Sequence, residues 1–231
     1  MTAIPAIVLA GGLGTRLRSI EPNKPKPMVE IFDKPFLYWL IQSLDRVGFD
    51  HFIFSIGYKA DFIESYPWVK EFPTKKFEFV TEVTPLGTGG AVKNVFDLDS
   101  AFKEAWVING DTILEKPLPP EKPSSDEVLY TVLNKKNVFD AKPNLVTKGD
   151  RVAGVSDKEG IFFDGGQVFV TREAVDSYGG PLPVSFHEMI LESFERKKVG
   201  FRESHGTCYD IGTPERLKRF ELYLKGTFIA R

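Results

Sequence analysis

Residues 4–10, IPAIVLA, constrain the fold more than any other stretch of the chain. A short run this apolar reads as a buried strand. It breaks at once into Gly11-Gly12-Leu13-Gly14. Glycines let the backbone approach a ligand closely and point successive N–H groups into one concavity, which suits phosphate oxygens. Thr15, Arg16, Arg18, Lys24 and Lys26 follow, and fixed cations there suit a polyphosphate that gathers charge during reaction. In open parallel sheets, ligands sit beyond the carboxyl ends of strands, where this turn falls. Glycine pairs alone would also fit a plain strand-to-helix turn with surface arginines. The loop is neither GxGxxG nor GxxxxGK[ST], so neither a dinucleotide cofactor site nor a Walker NTPase follows.

Strand-like runs alternate with helical patterns through the first half. Residues 35–47 place Leu37, Leu40, Ile41 and Leu44 at helical spacing, with Pro35 suited to the first turn. Strands are predicted over 52–56, 77–81 and 105–109, a short helix over 59–66, and a helix over 89–96 after the glycines. This order predicts an α/β domain with a mixed, mainly parallel central sheet, helices on both faces and right-handed crossovers. The pattern then changes. Residues 115–125 are rich in proline and charge and read as an exposed connection. Strands are predicted over 127–133, 151–155 and 166–170, and helices over 184–197 and 213–224, the last with a stripe of Leu217, Phe220 and Leu224. Phe49, Phe52, Phe54, Phe72, Phe77 and Phe79 fall largely at strand-like spacing and are expected in the core. With no repeat and no flexible linker, residues 1–231 read as a single domain.

Lysine plus arginine number 30 against 32 acids, a formal charge of −2. Such balance argues against gripping nucleic acid through bulk electrostatics. The single cysteine, Cys208, rules out an intramolecular disulfide framework and fits a reducing compartment. No Cys/His cluster has zinc-ligand spacing. Neither a signal peptide nor a membrane span is expected, so the cytoplasm is the expected location.

Four motifs recur in order: LAGGLGTRL…PKPM from residue 9, PLGTGGA over 85–91, VINGDT over 107–112 and YDIGTPE over 209–215. As an ordered set they resemble the sugar-phosphate nucleotidyltransferases, and they span nearly the whole chain. Within that family, KPFL over 34–37 combined with PLGTGG resembles the short D-glycero-α-D-manno-heptose 1-phosphate guanylyltransferases. The resemblance implies a single Rossmann-like (GT-A-type) domain with a nucleotide-binding half over 1–112 and a sugar-phosphate-binding half over 113–231. The C-terminal β-helix of longer relatives is not expected. The implied reaction is attack by a phosphate monoester oxygen on the α-phosphorus of a nucleoside triphosphate, expelling pyrophosphate. The attacking phosphate is already anionic, so alignment and charge relief matter more than a general base.

The expected partners are an NTP, with GTP favoured, and a sugar 1-phosphate, with neither nucleic acid nor membrane; a homodimer is compatible with the resemblance. Gly11, Gly12 and Gly14 would cradle the nucleotide, Arg16 would hold the β- and γ-phosphates, and Lys26 would sit against the α-phosphate. Leu9, Ala10, Thr15, Pro85, Gly87, Thr88 and Gly89 complete the implied nucleotide-binding set. Glu82 carries hydrogen-bond acceptors only, matching the N1–H and N2–H₂ donors of guanine, although the amino group of cytosine would also serve. Asp111 and Asp210 match the family's holders of Mg²⁺, the implied cofactor, and hard carboxylate oxygens suit that ion. Each is also a lone aspartate of the kind found in turns or at helix caps.

For the acceptor, the resemblance implicates Asn109, Gly110, Lys158, Asp164, Gly166 and His187. Lys158 sits in a charged turn where a surface lysine is equally at home, and His187 also fits a helix N-terminal residue. Three departures from the family pattern gather here, at Lys142-Pro143-Asn144-Leu145, Asp164-Gly165-Gly166 and Ser185-Phe186-His187-Glu188. They leave the nucleotide half intact and the acceptor open; with Glu82 selecting guanine only mildly, a uridylyl-, thymidylyl- or cytidylyltransferase on another sugar 1-phosphate or phosphate monoester is the alternative. A non-catalytic subunit that binds nucleotide sugar is a further one, opposed by Arg16, Lys26, Asp111 and Asp210.

Overall fold

The computed structural model describes residues 4–12, 23–123, 126–156 and 158–229. Alternate side chains of β1 (Ala6–Leu9) enter two different cores, Ala6 and Val8 on one side and Ile7 on the other. That is why the strand has no polar face. The other strands of the main sheet are β2 (His51–Ile56), β3 (Lys76–Thr81), β4 (Glu104–Asn109), β5 (Val128–Leu133), β6 (Leu145–Lys148), β7 (Arg151–Val155), β8 (Phe163–Thr171) and β9 (Val199–Glu203). Their order across the nine-stranded sheet is β3-β2-β1-β4-β8-β5-β9-β7-β6.

The first four strands are mutually parallel. β8 then runs antiparallel to both β4 and β5, β9 is parallel to β5, and β7 is antiparallel to both β9 and β6. The parallel first half and the mixed second half thus share one sheet. Helices α1 (Phe36–Asp45) and α3 (Pro214–Leu224) cover one face, burying the predicted stripes of Leu37, Leu40, Ile41 and Leu44 and of Leu217, Phe220 and Leu224. Helix α2 (Gly87–Leu98) and the short helices Arg172–Asp176 and Phe186–Met189 cover the other. Phe52 and Phe54 are buried and stack on Phe77 at 5.6 and 5.9 Å, as core phenylalanines should. Phe79, on the edge strand β3, stays 37% exposed.

Two local expectations differ. The helix expected over 184–197 is two short ones, Phe186–Met189 and Leu191–Glu195. The turn between them lets Met189 and Ile190 both bury against the α2 core. The connection expected to be exposed is anchored instead: Leu118 is buried, its N–H donating to Gln167 Oε1 at 2.9 Å and its carbonyl accepting from Gln167 Nε2 at 2.8 Å. A buried backbone segment needs such partners. Among the described residues, no helix is long and apolar enough to cross a membrane.

Strand Thr112–Leu114 pairs antiparallel with Cys208–Asp210, setting Asp210 opposite Thr112. Ile211 N–H donates to Asp111 O at 3.2 Å. This small ribbon joins the end of β4 to the start of α3.

Candidate active site

β1 and β4 end in register, Leu9 beside Asn109, and Gly110 N–H donates to Leu9 O at 3.0 Å. A Cβ at Gly110 would lie 2.6 Å from Leu9 O, so only glycine permits this approach. The strands therefore release Gly11-Gly12 and Asp111 side by side at the carboxyl end of the sheet. There a cavity of about 390 Å³ opens. Of the expected nucleotide-binding residues, Leu9, Gly11, Gly12, Glu82, Pro85, Gly87, Thr88 and Asp111 line it. Asn109 and Gly110, expected on the acceptor side, line it too, and so does Ala91, which sequence reasoning missed.

Two expected residues stand back from this wall. Ala10 is buried, its N–H donating to Ser55 O at 2.8 Å. Gly89 faces the chain at 184–185: its N–H donates to Val184 O at 3.0 Å, and a Cβ there would lie 2.5 Å from Ser185 O. Gly14, Thr15 and Arg16 lie outside the described residues. Glu82 fixes the corner that carries Pro85, its Oε1 accepting from Ser55 Oγ at 3.1 Å and its Oε2 from Leu86 N–H at 3.0 Å. Each oxygen retains a second lone pair for a ligand.

Lys26 begins a short 3₁₀ turn, Lys26–Met28, whose Pro27 and Met28 are buried. Its ammonium donates to Asp111 Oδ2 at 2.5 Å, while Asp111 Oδ1 accepts from Thr112 Oγ1 at 3.0 Å. The expected cationic group thus lies directly on the expected metal-holding carboxylate. Lys24 turns instead to Glu30 at 2.6 Å.

A second cavity, of about 250 Å³, adjoins the first and shares Leu9, Thr88 and Asn109 with it. Asp164, Gly166 and His187 line it as expected, along with Tyr130, Asn144 and Ser185, which sequence reasoning did not assign. Asn144 and Ser185 lie within the segments that depart from the family pattern. Gly166 has φ +71°, and a Cβ there would meet Asn109 Nδ2 at 2.9 Å. Burial pushes the Asp164 carboxyl up to about 6, against the opposing hydrogen bond from Gly166 N–H at 2.8 Å. Burial also lowers the pKa of His187, with Glu188 opposing it, and His187 Nδ1 is buried without a protein partner. Gly110 lines only the first cavity, and Lys158 lines neither, sitting in an exposed turn that Ser156 Oγ holds.

Asp210 accepts from Arg216 Nη1 at 3.0 Å on each oxygen, and its Oδ1 also takes Gly212 N–H at 2.8 Å. Burial pushes the neighbouring Cys208 thiol up to about 12, with the charges of Asp210, Asp164 and Asp111 adding to the effect. Cys208 itself packs against Leu114, Leu133 and Phe163 and lines neither cavity. Among the described residues, no group of three or more His, Cys, Asp or Glu side chains could hold a metal by itself. Asp111 lines the first cavity whereas Asp210 lines neither, and both already bind cationic side chains. Magnesium sites commonly combine one or two carboxylates with substrate phosphates, and the pair fits that pattern.

Comparisons with known proteins bear on the family and the fold. A family model described as "Nucleotidyl transferase" matches residues 5–128. The chain is 34% identical over 215 residues to the D-glycero-alpha-D-manno-heptose 1-phosphate guanylyltransferase of Campylobacter jejuni, covering 91% of this chain and 95% of that one. It is 32% identical to the enzyme of the same name from Aneurinibacillus thermoaerophilus, covering 95% and 98%. The crystal structure of HddC from Yersinia pseudotuberculosis superposes with a TM-score of 0.80 at 30% identity, over 96% of this chain and 100% of that one. HddC has also been solved in complex with GMP-PN, with the same score and identity.

Proposed function

This chain belongs to the nucleotidyl transferase family, and from that premise we propose that it makes GDP-D-glycero-α-D-manno-heptose from GTP and the heptose 1-phosphate. The reaction transfers a nucleoside monophosphate to a sugar 1-phosphate. A phosphate oxygen of the acceptor bonds to the α-phosphorus, the bond to the β-phosphate bridging oxygen breaks, and pyrophosphate leaves. The observation that carries the reading is two cavities meeting at Leu9, Thr88 and Asn109, with Lys26 and Asp111 at the first. Two anions must be brought together in line, and adjoining sites supply that alignment.

The glycine-lined cavity takes the nucleotide and the second takes the acceptor. Lys26 meets the α-phosphate, where its ammonium offsets the charge that grows as the pentacovalent centre forms. Arg16 holds the leaving phosphates. Asp111 and Asp210 would hold Mg²⁺, which when bound neutralises triphosphate charge. The spare lone pairs of Glu82 match the N1–H and N2–H₂ of guanine, and HddC, the relative solved with GMP-PN, lends weight to GTP. In the acceptor cavity, Asn109, Asn144, Asp164, Ser185 and His187 offer both donors and acceptors to a polyhydroxylated ring. The cytoplasm is the compartment we assign, since a chain with a single cysteine fits a reducing one.

The test is a matrix of four NTPs against a panel of sugar 1-phosphates, scored by pyrophosphate release with Mg²⁺ present. Dominant turnover of GTP with the heptose 1-phosphate is expected. Turnover of UTP or dTTP with glucose 1-phosphate instead would overturn the substrate pair while leaving the reaction class standing.

A further inference from the structure

Ser185, Phe186 and His187 line the acceptor cavity, Gly87 and Thr88 line the nucleotide cavity, and hydrogen bonds from Val184 and Phe186 join the two segments. Val184 N–H donates to Leu86 O at 2.9 Å, and Val184 O accepts from Gly89 and Gly90 N–H at 3.0 and 3.3 Å. Gly87 and Gly89 allow this closeness, since a Cβ on either would lie about 2.5 Å or less from Val184 O or Ser185 O. These bonds fix Val184 but not the direction in which the chain leaves it. Two residues further on, Phe186 N–H donates to Thr88 Oγ1 at 2.9 Å. Phe186 is the first residue of the short helix Phe186–Met189, capped by Ser185 and Glu188. The Thr88 bond therefore ties the first turn, and His187 with it, to the nucleotide loop. Thr88 is also one of three residues lining both cavities.

We infer that Thr88 is a positioning residue for the acceptor: its hydroxyl latches the Ser185–His187 wall to the nucleotide loop, so that the acceptor cavity is shaped from the nucleotide side. This rests on the assignment of the second cavity to the acceptor. It reassigns Thr88, whose motif suggests only nucleotide contact. A backbone hydrogen bond to a neutral hydroxyl at a partly exposed site bears modestly on stability, so its loss should read as about three- to tenfold in acceptor KM.

The two ends of the bond can be cut separately. Thr88→Val keeps the shape and removes the acceptor atom, and Thr88→Ser restores it. Phe186→Pro removes the donor at a position that tolerates proline, the first residue of a helix after Ser185 at φ −74°, ψ 155°. Phe186→Ala keeps the N–H and controls for the lost ring. Thr88→Val is expected to raise acceptor KM about three- to tenfold, a larger loss than calorimetry reads for GTP, and to be rescued by Thr88→Ser. Phe186→Pro should exceed Phe186→Ala by a similar factor, and combining it with Thr88→Val should add little.

Amide hydrogen exchange provides a readout that needs no turnover: amides 187–189 should exchange faster in Thr88→Val than in the wild type. If no sugar 1-phosphate supports turnover in the wild type, the proposed reaction fails, and the exchange data still decide the latch. Unchanged exchange in Thr88→Val, or a loss of GTP affinity equal to the loss for acceptor, would overturn it.

Discussion

Asp164→Asn should stabilise the protein near neutral pH and change little in acid. Burial raises this carboxyl from an ordinary value of 3.8 to about 6, even with Gly166 N–H bonded to it. Between about pH 4 and 6 the folded protein therefore holds a proton that the unfolded chain has released. Stability falls as pH rises through that window, the reverse of a salt-bridged carboxylate, which becomes stabilising as it ionises. A shift of about two units corresponds to at most about 3 kcal/mol, present in full above pH 6 and absent below pH 4. The asparagine amide keeps an oxygen for Gly166 but brings an N–H₂ that needs a partner, so a gain of about 1–3 kcal/mol is expected. Urea titrations of both proteins at half-unit steps from pH 4 to 7.5 read it directly. Their difference should widen with pH and level off above 6. Parallel curves, or a wild type that gains on the variant as pH rises, would refute the reasoning. A carboxylate kept where it costs stability is expected to serve a ligand, and the same variant should raise acceptor KM by about tenfold or more.

Lys26→Ala should lower kcat by about a hundredfold or more and move the KM for nucleotide only a few fold, since its charge acts where negative charge builds; steady-state kinetics on both substrates check this, and near-normal turnover would remove Lys26 from the mechanism. Gly87→Ala puts a Cβ 2.4 Å from Val184 O at φ +75° and should cost about 2 kcal/mol or more in thermal or urea unfolding. Chelation with EDTA should abolish pyrophosphate release and excess Mg²⁺ should restore it, whereas full activity in EDTA would exclude the proposed metal role of Asp111 and Asp210.

The parallel half of the fold was legible because each signal there is local. The apolar run at 6–9, the helical stripe of Leu37, Leu40, Ile41 and Leu44, and the glycines that open α2 each declare an element within a few residues. Burial on both faces then requires the sheet to be covered on both sides. The second half carries weaker local signals. β6 has four residues, and the ribbon strands Thr112–Leu114 and Cys208–Asp210 have three each, too few for a period to register. Residues 184–197 read as one helix because their composition is helical throughout. The break at Ile190 comes from tertiary packing that no local window contains.

The same division governs the site. The first cavity forms where two parallel strands end in register, so residues just past β1 and β4 reach it by topology alone, and a glycine or aspartate at a strand end already marks the place. The second cavity takes Tyr130 from β5, Asn144 from a loop, Asp164 and Gly166 from β8, and His187 from a short helix. These come from four separate segments, and their convergence depends on β8 lying antiparallel between β4 and β5. No spacing along the chain encodes that. The three departures from the family pattern at 142–145, 164–166 and 185–188 each nevertheless place a residue on this one wall. Variation that looks scattered in the sequence is contiguous in the fold, as expected where one scaffold keeps its nucleotide chemistry and changes the acceptor it receives.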